Sequence, residues 1–506
     1  MISLANSILL QRLGKVTSAV SAKILGGLAS LVPIASRADY KSISEALVKS
    51  TADAVLSDDH TLLDAVSVNE SHLICWSIDV VPQALEARCF LAGSITTESQ
   101  LYELFLTDVL HSVAAIGDER EKDTEKKRVD ATVGDQLAIR TSGAERFGEQ
   151  LAVREIEQYI RPLAILLGHN KTDVNFALRS GFTSLLRDFW LNCVVHGIIY
   201  GTGTAHKHGE SFKIIAKYTP PLIDGVVEDQ SFDADLDVHS LFKRDMSSAN
   251  VVEHKRRLIS VLPAEEVQIR TLTYPRTIFL EAAYSLECMR AEGGGCSKVL
   301  AYFVEPAFKT GDASTVMAAI AGKVTDIYIT RILTGAYPDF CSSSVADQLA
   351  DVFVGCCHRL EKVQATATVM ADRIIATAPS ALCRRASLFA LLELLGLLWA
   401  SCMKEETDEY ATRAIFTSKR GRVAIEMPDS YKFRKQTMRN FRERAKTWVL
   451  KILNIAPLDM KGLLQTYLSE FEDEGSVGHV SLGRSFALEM GGTLPNTDRR
   501  LGTSTI

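Results

Sequence analysis

Apolar residues recur along the chain at intervals of three and four, in stretches separated by short polar breaks. This is the spacing of one buried helix face. LDAVSVNESHLICWSIDVVPQAL (63–85), ESQLYELFLTDVLHSVAAIG (98–117) and GEQLAVREIEQYIRPLAILLG (148–168) show it early in the chain. From residue 251 it returns in EHKRRLISVL, TIFLEAAYSLECMRA, ASTVMAAIAGKVTDIYITRIL and SVADQLADVFVGCCHRLEKVQATATVMADRIIATA. DSYKFRKQTMRNFRERAKTWVLKILNIAP and LDMKGLLQTYLSEFEDE follow. No run alternates with period two for long enough to argue for a sheet.

Successive helices with short breaks over hundreds of residues predict an all-α fold. The expected architecture is a degenerate HEAT/armadillo-like α-solenoid of antiparallel helix pairs, since no strict repeat signature is present. Residues 1–117 read as N-terminal helical repeats. Residues 118–147 read as a charged loop or linker, because DEREKDTEKKRVDATVGD has too little apolar material to fold alone. Residues 148–490 form the main solenoid, with an acidic loop at 220–250, and 491–506 read as a disordered tail.

Composition agrees with helices. Of 506 residues only 13 are Pro and 31 Gly, in a chain that is 47% hydrophobic and 23% charged. Few helix breakers in a Leu- and Ala-rich chain favour helix throughout. The net charge of −6 leaves no basic footprint for nucleic acid. The ten cysteines contain no C-x-x-C, and most sit in apolar runs, so they read as reduced core residues of a cytosolic protein. The sequons at Asn69 and Asn170 are discounted, since such tripeptides arise by chance and no convincing secretory signal accompanies them.

Two segments bear on membranes. LFALLELLGLLWASCM (388–403) is somewhat short for a span and contains Glu393, so a buried helix is expected. Residues 1–38 lack acidic residues and carry Arg12, Lys15, Lys23 and Arg37 among many Ser and Ala. That is the composition of a mitochondrial transit segment, and equally of a buried helix pair broken at Gly26–Gly27.

The candidate chemistry is sparse. LLRDFWLNCVVHG (185–197) places Cys193 and His196 one turn apart. On a helical wheel, however, Leu186, Phe189, Trp190, Cys193, Val194 and Gly197 share one apolar face. Asp188, Asn192 and His196 draw only a thin polar stripe. A nucleophile needs exposure and an oxyanion site, so a packed core is the expectation. His206 and His208 form a loop pair without a third metal ligand. Arg373, Arg384 and Arg385 suggest a solvated helix face. A denser basic set, Lys432, Arg434, Lys435, Arg439, Arg442, Arg444 and Lys446, surrounds a helix with the apolar seam Met438, Phe441, Ala445, Trp448, Val449 and Ile452. It is the candidate surface for a partner or membrane.

LRDFWLNCVVHG resembles a segment in the helical region of type III alpha phosphatidylinositol 4-kinases. Further segments follow in the family's order: GTGTAHKHGESFKIIAKYTPPLI (201–223), EHKRRLISVLPAEEVQIRTL (253–272) and AAYSLECMRAE (282–292). In the last, Tyr284, Leu286, Glu287, Met289 and Arg290 are in step. VLAYFVEPAFKTGDASTVMAAIAGKVTDIYI (299–329), IEMPDSYKFRKQTMRNFRERA (425–445) and NIAPLDMKGLLQTYL (454–468) complete the set. The resemblance runs from about 180 to 490, whereas residues 1–150 share only general helical texture.

The resemblance implies a non-catalytic scaffold segment of an ATP-dependent 1-phosphatidylinositol 4-kinase. The parent enzyme phosphorylates the 4-hydroxyl of phosphatidylinositol at the plasma membrane, with ATP and Mg held in a kinase core. It also implies a homodimer, a tetratricopeptide-repeat scaffold partner and a lipid-anchored membrane-recruiting subunit. The location would be cytoplasmic and peripheral at the plasma membrane, or mitochondrial if residues 1–38 are a transit segment.

Kinase motifs do not appear in the sequence. Pro338-Asp339-Phe340-Cys341 has cysteine where Asp–Phe–Gly needs glycine. Gly201-Thr202-Gly203 continues with His206 where a phosphate-covering loop needs its third glycine. No catalytic, cofactor-binding or metal residue is therefore assigned, and no kinase activity is expected from these 506 residues alone. A free-standing helical adaptor is the alternative.

Overall fold

The computed structural model describes residues 2–31 except 14, 156–168, 182–199, 204–223, 248–335, 338–407, 415–418, 423–470 and 481–493. Isolated positions between 46 and 153, and Phe232 and Leu236, are also described. The segment 63–85, the charged run 118–147, both sequons, Gly201 to Gly203, most of the acidic loop and residues 494–506 lie outside them.

The described fold is all-α, as the hydrophobic period predicts. Its helices are α1 (Ile2–Arg12), α2 (Ser18–Leu31), α3 (Phe182–Val195), α4 (Thr204–Tyr218), α5 (Ser248–Val261), α6 (Glu266–Thr271) and α7 (Tyr274–Glu292). They continue as α8 (Gly311–Thr334), α9 (Ser342–Cys356), α10 (Glu361–Thr377), α11 (Arg385–Thr407), α12 (Tyr431–Ile455), α13 (Pro457–Glu470) and α14 (Leu482–Gly491). Residues 156–168 are also helical. The chain divides into two compact units. One comprises Met1–Leu258 with Thr273–Leu286, the other Ile259–Leu272 with Glu287–Ile506.

In the first unit α3 and α4 meet through aromatic rings. Trp190 and Phe189 stand edge to face at 5.9 Å, and Trp190 lies 5.9 Å from Phe212 of α4. The indole N–H of Trp190 donates to the Thr219 hydroxyl at 3.2 Å, so its one polar atom is satisfied inside the core. On α5, His254 Nδ1 lies 2.7 Å from Glu281 Oε2 of α7, both side chains buried. Phe232 stands edge to face on Phe279 at 4.7 Å.

In the second unit each helix packs on near neighbours in sequence, the pattern of stacked helix pairs. α8 packs on α10, α9 on α10 and α11, α11 on α12, and α12 on α13. α14 returns to cover both α13 and α11. Phe353 of α9 stacks on Trp448 of α12 at 5.1 Å and meets Phe441 at 6.3 Å, tying those two helices together. The helix ends follow local chemistry. Ser430 accepts from the Phe433 N–H at the start of α12. Gly335, at φ 61°, ends α8 in the left-handed conformation that a Cβ disfavours.

Four details differ from the expectation. The long apolar stretch 344–378 is two helices, because the chain turns at Cys357–Leu360 between α9 and α10. Gly26 and Gly27 lie inside α2, and the two helices are separated earlier, between Arg12 and Ser18. α3 ends at Val195, and Gly197 turns the chain with φ 67° instead of continuing the apolar face. A short antiparallel hairpin, β1 (Ile415–Thr417) with β2 (Ala424–Glu426), pairs Phe416 with Ile425. Three-residue strands are too short to show a period in the sequence.

α11 is long and apolar enough to cross a membrane by length and composition, but 67% of its apolar window is buried in protein. The buried-helix expectation for 388–403 therefore agrees with the packing of α11 between α9, α12 and α14.

Candidate functional site

The Cys193 and His196 stretch resolves into core. Cys193 is fully buried, and burial pushes its thiol well above the ordinary value, which suppresses the thiolate a nucleophile requires. His196 sits beyond the end of α3, in the turn at Gly197. Asn192, on the polar stripe, donates to the Asp188 carbonyl at 2.9 Å and so satisfies its own helix.

The histidine pair is not in a loop. His206 and His208 lie within α4. His208 is buried. Among the described residues no group of three His, Cys, Asp or Glu side chains is placed to hold a metal.

The arginines at 373, 384 and 385 are separately engaged. Arg373 pairs with Asp326 and donates to the Gly322 carbonyl at 3.3 Å. Arg384 donates to Ser342 at 2.8 Å. Arg385 pairs with Glu470 and covers the Phe389 ring at 5.0 Å. They fasten α10 to α8, the start of α11 to α9, and α11 to α13.

Pro338–Phe340 forms a single 3-10 turn whose Phe340 ring lies 5.6 Å from Tyr328. Cys341 follows as the N-cap of α9, exposed, with Sγ 3.0 Å from Ser343 Oγ and 3.2 Å from Ser344 Oγ. Those hydroxyls, aided by the first backbone N–H groups of the helix, draw its thiol down to about 7. Of the nine described cysteines, Cys193, Cys296, Cys356, Cys357 and Cys402 are buried and Cys341 alone is exposed.

The basic set around 432–446 separates into four groups. Arg434 is buried at the root of α12, donating to the Pro428 carbonyl at 2.6 Å and the Ser401 carbonyl at 3.1 Å. The sequence held a signal for this: Arg434 precedes Phe441, Ala445 and Trp448 by seven, eleven and fourteen residues, which places it in the apolar seam. Arg444 faces Asp372 at 3.4 Å, and Trp448 Nε1 donates to the same carboxylate at 2.6 Å. Arg442 and Lys446 hold Glu489 of α14 at 3.0 and 2.7 Å. The Lys446 and Arg442 hydrogen bonds keep the Glu489 carboxyl below its ordinary value. No sequence signal marks Glu489 as their partner. Lys432, Lys435 and Arg439 remain, all exposed.

The residues that carry the family resemblance are mostly structural. Leu286 is fully buried, and Glu287 and Arg290 form a buried ion pair one turn apart on α7. Phe189 and Trp190 belong to the α3–α4 core, and Leu464 and Tyr467 to the underside of α13.

No protein-family model matches the chain. Phosphatidylinositol 4-kinase STT4 of Saccharomyces cerevisiae is 27% identical over 510 aligned residues, covering 99% of this chain. Phosphatidylinositol 4-kinase stt4 of Schizosaccharomyces pombe is 25% identical over 320 residues, covering 63% of this chain. The chain is homologous to these phosphatidylinositol 4-kinases. It spans about a quarter of the length of the first relative, and the aligned part is 17% of the second. The homology to the first kinase reaches nearly the whole chain. It therefore extends through residues 1–150, where the sequence alone showed only helical texture.

Proposed function

We propose that these residues are a non-catalytic helical scaffold of a 1-phosphatidylinositol 4-kinase. The observation that carries this reading is where the family-like positions go. Trp190 and Tyr467 pack against rings of neighbouring helices, Leu286 is fully buried, and the Glu287–Arg290 pair is buried along α7. A framework of stacked helices presents long surfaces, and its natural work is to hold partners. In this reading it supports dimerisation and binds a tetratricopeptide-repeat scaffold and a membrane-recruiting subunit. The parent enzyme, with ATP and Mg in a kinase core, phosphorylates the 4-hydroxyl of phosphatidylinositol at the plasma membrane.

The test is the native product. An antibody to residues 430–450, used on host-cell lysate with peptide mass spectrometry of the band, is expected to find a protein far heavier than 55.5 kDa. Its peptides should include a kinase core. A band at 55.5 kDa would replace this reading with a free-standing helical adaptor. The purified 506-residue chain is expected to transfer no phosphate from ATP to phosphatidylinositol, and measurable transfer would refute the non-catalytic role.

A further inference from the structure

Lys432, Lys435, Arg439, Arg442 and Lys446 are spaced by three, four, three and four residues along α12. That spacing sets their side chains in one line, about 21 Å long at 1.5 Å per residue. The C-terminal half of the line is already occupied. Glu489, from the neighbouring helix α14, lies across Arg442 and Lys446 at 3.0 and 2.7 Å. One carboxylate thus bridges two cations a turn apart. Lys435 and Arg439 repeat that interval, with Lys432 a further three residues back. Among the described residues no carboxylate forms an ion pair with these three cations. Asp429 reaches only toward Arg434, at 3.7 Å, and Glu443 lies one turn beyond Arg439.

The line is held in place. Arg434 beneath it is fastened to the Ser401 and Pro428 carbonyls, and Phe441 and Trp448 pack against Phe353. Lys435 also rests 5.4 Å from the Tyr431 ring. The helix beneath the row is therefore fixed, and a partner would order only the exposed Lys432, Lys435 and Arg439 side chains. The line is also narrow. Gln436, Asn440 and Glu443 flank it on the exposed side, and α12 offers no exposed large apolar residue there to enter a bilayer. A single file of cations fits a linear acidic partner better than a plane of lipid headgroups.

We infer that the Lys432–Lys435–Arg439 half of this row docks an acidic helix of a partner protein. That helix would carry Glu or Asp at three- and four-residue intervals, so that it continues along α12 the contact Glu489 makes further down. The inference rests on the geometry of α12 and stands independently of the lipid-kinase reading.

The probe is a fluorescent Ala/Gln-based helical peptide of about 20 residues with glutamates at i, i+3, i+7 and i+10. A second peptide has the same composition with the glutamates scattered around the helix. Binding to the 506-residue chain is read by anisotropy. The spaced peptide is expected to bind about tenfold more tightly than the scattered one, and more weakly as salt rises. K432E/K435E/R439E should remove that preference, and the milder K432Q/K435Q/R439Q should reduce it. K451E, an exposed position off the row, should leave it intact. Unchanged thermal melts would show that all three variants are folded. Equal binding of the two peptides, or a preference that survives the triple reversal, would overturn the inference. So would reversal-sensitive binding to phosphatidylserine vesicles with no peptide binding, which would assign the row to a membrane.

Discussion

Gly483 of α14 lies directly against the carbonyl oxygen of Leu392 in α11. A Cβ at Gly483 would come within 2.3 Å of that oxygen and 3.1 Å of the Tyr467 hydroxyl. The opposing atom is backbone and cannot rotate away, so the two helices approach this closely only because residue 483 has no side chain. α14 brings Glu489 to α12 from this crossing, so the crossing also sets the lower half of the basic row.

Gly483→Ala should therefore separate α14 from α11. The expected cost is at or above the upper end of the 1–3 kcal/mol typical of overpacking. A fall in thermal midpoint checks it, and an unchanged midpoint would contradict the close crossing.

Trp190→Ala removes a fully buried ring from between Phe189 and Phe212 and leaves the Thr219 hydroxyl without its indole donor. The expected loss is about 3–5 kcal/mol. Equilibrium denaturation of the variant measures it. Trp190→Phe should retain much of the packing and cost less.

Glu287→Gln takes the carboxylate from beside the buried Arg290 guanidinium. Breaking one side of a buried pair typically costs about 3–5 kcal/mol, whereas replacing both partners with apolar groups can be near neutral. The double variant Glu287→Met/Arg290→Met should thus be more stable than Glu287→Gln. The reverse order would contradict the cost assigned to a buried Arg290 that has lost its carboxylate partner.

Cys341 should be the first described cysteine to react with iodoacetamide. Its rate should rise through a midpoint near pH 7, the value to which the Ser343 and Ser344 hydroxyls draw its thiol. Ser343→Ala should move the midpoint upward. Cys193 should react only after unfolding, because burial disfavours its thiolate. Mass spectrometry of the labelled peptides separates the two.

Glu489 has a folded-state pKa below its ordinary value of 4.5. Its ion pairs with Lys446 and Arg442 stabilise the fold above that value and are lost as pH falls through the depressed one. Because the group is solvent-accessible, the effect should be small and weaken with salt. Glu489→Gln should flatten the acid limb of a stability–pH curve, most visibly at low ionic strength.

Much of the fold was legible because helix formation and amphipathic burial are local. The three-and-four spacing of Phe441, Ala445, Trp448 and Ile452 marks the inner face of α12 without reference to any other helix. The apolar run of α11 reads as buried because it has almost no polar face to give to water. The core assignment of Cys193 followed from the same arithmetic. Shorter features escaped it. The Phe416–Ile425 strand pair involves too few residues to reveal a period, and the two histidines of α4 lie next to a glycine-rich stretch that masks the helix start.

The candidate surface was legible only in outline. The sequence by itself determined that α12 carries a basic exterior opposite an apolar seam, since both facts follow from 100° per residue. Only the tertiary structure decided which of those cations are free to act. Arg434 is drawn inward by carbonyls of Ser401 and Pro428, Arg444 is taken by Asp372, and Arg442 with Lys446 by Glu489. Except for Pro428, those partners lie dozens of residues away along the chain. Their arrival depends on helix crossings such as Gly483 against Leu392, which are fixed by packing between distant segments rather than by local pattern.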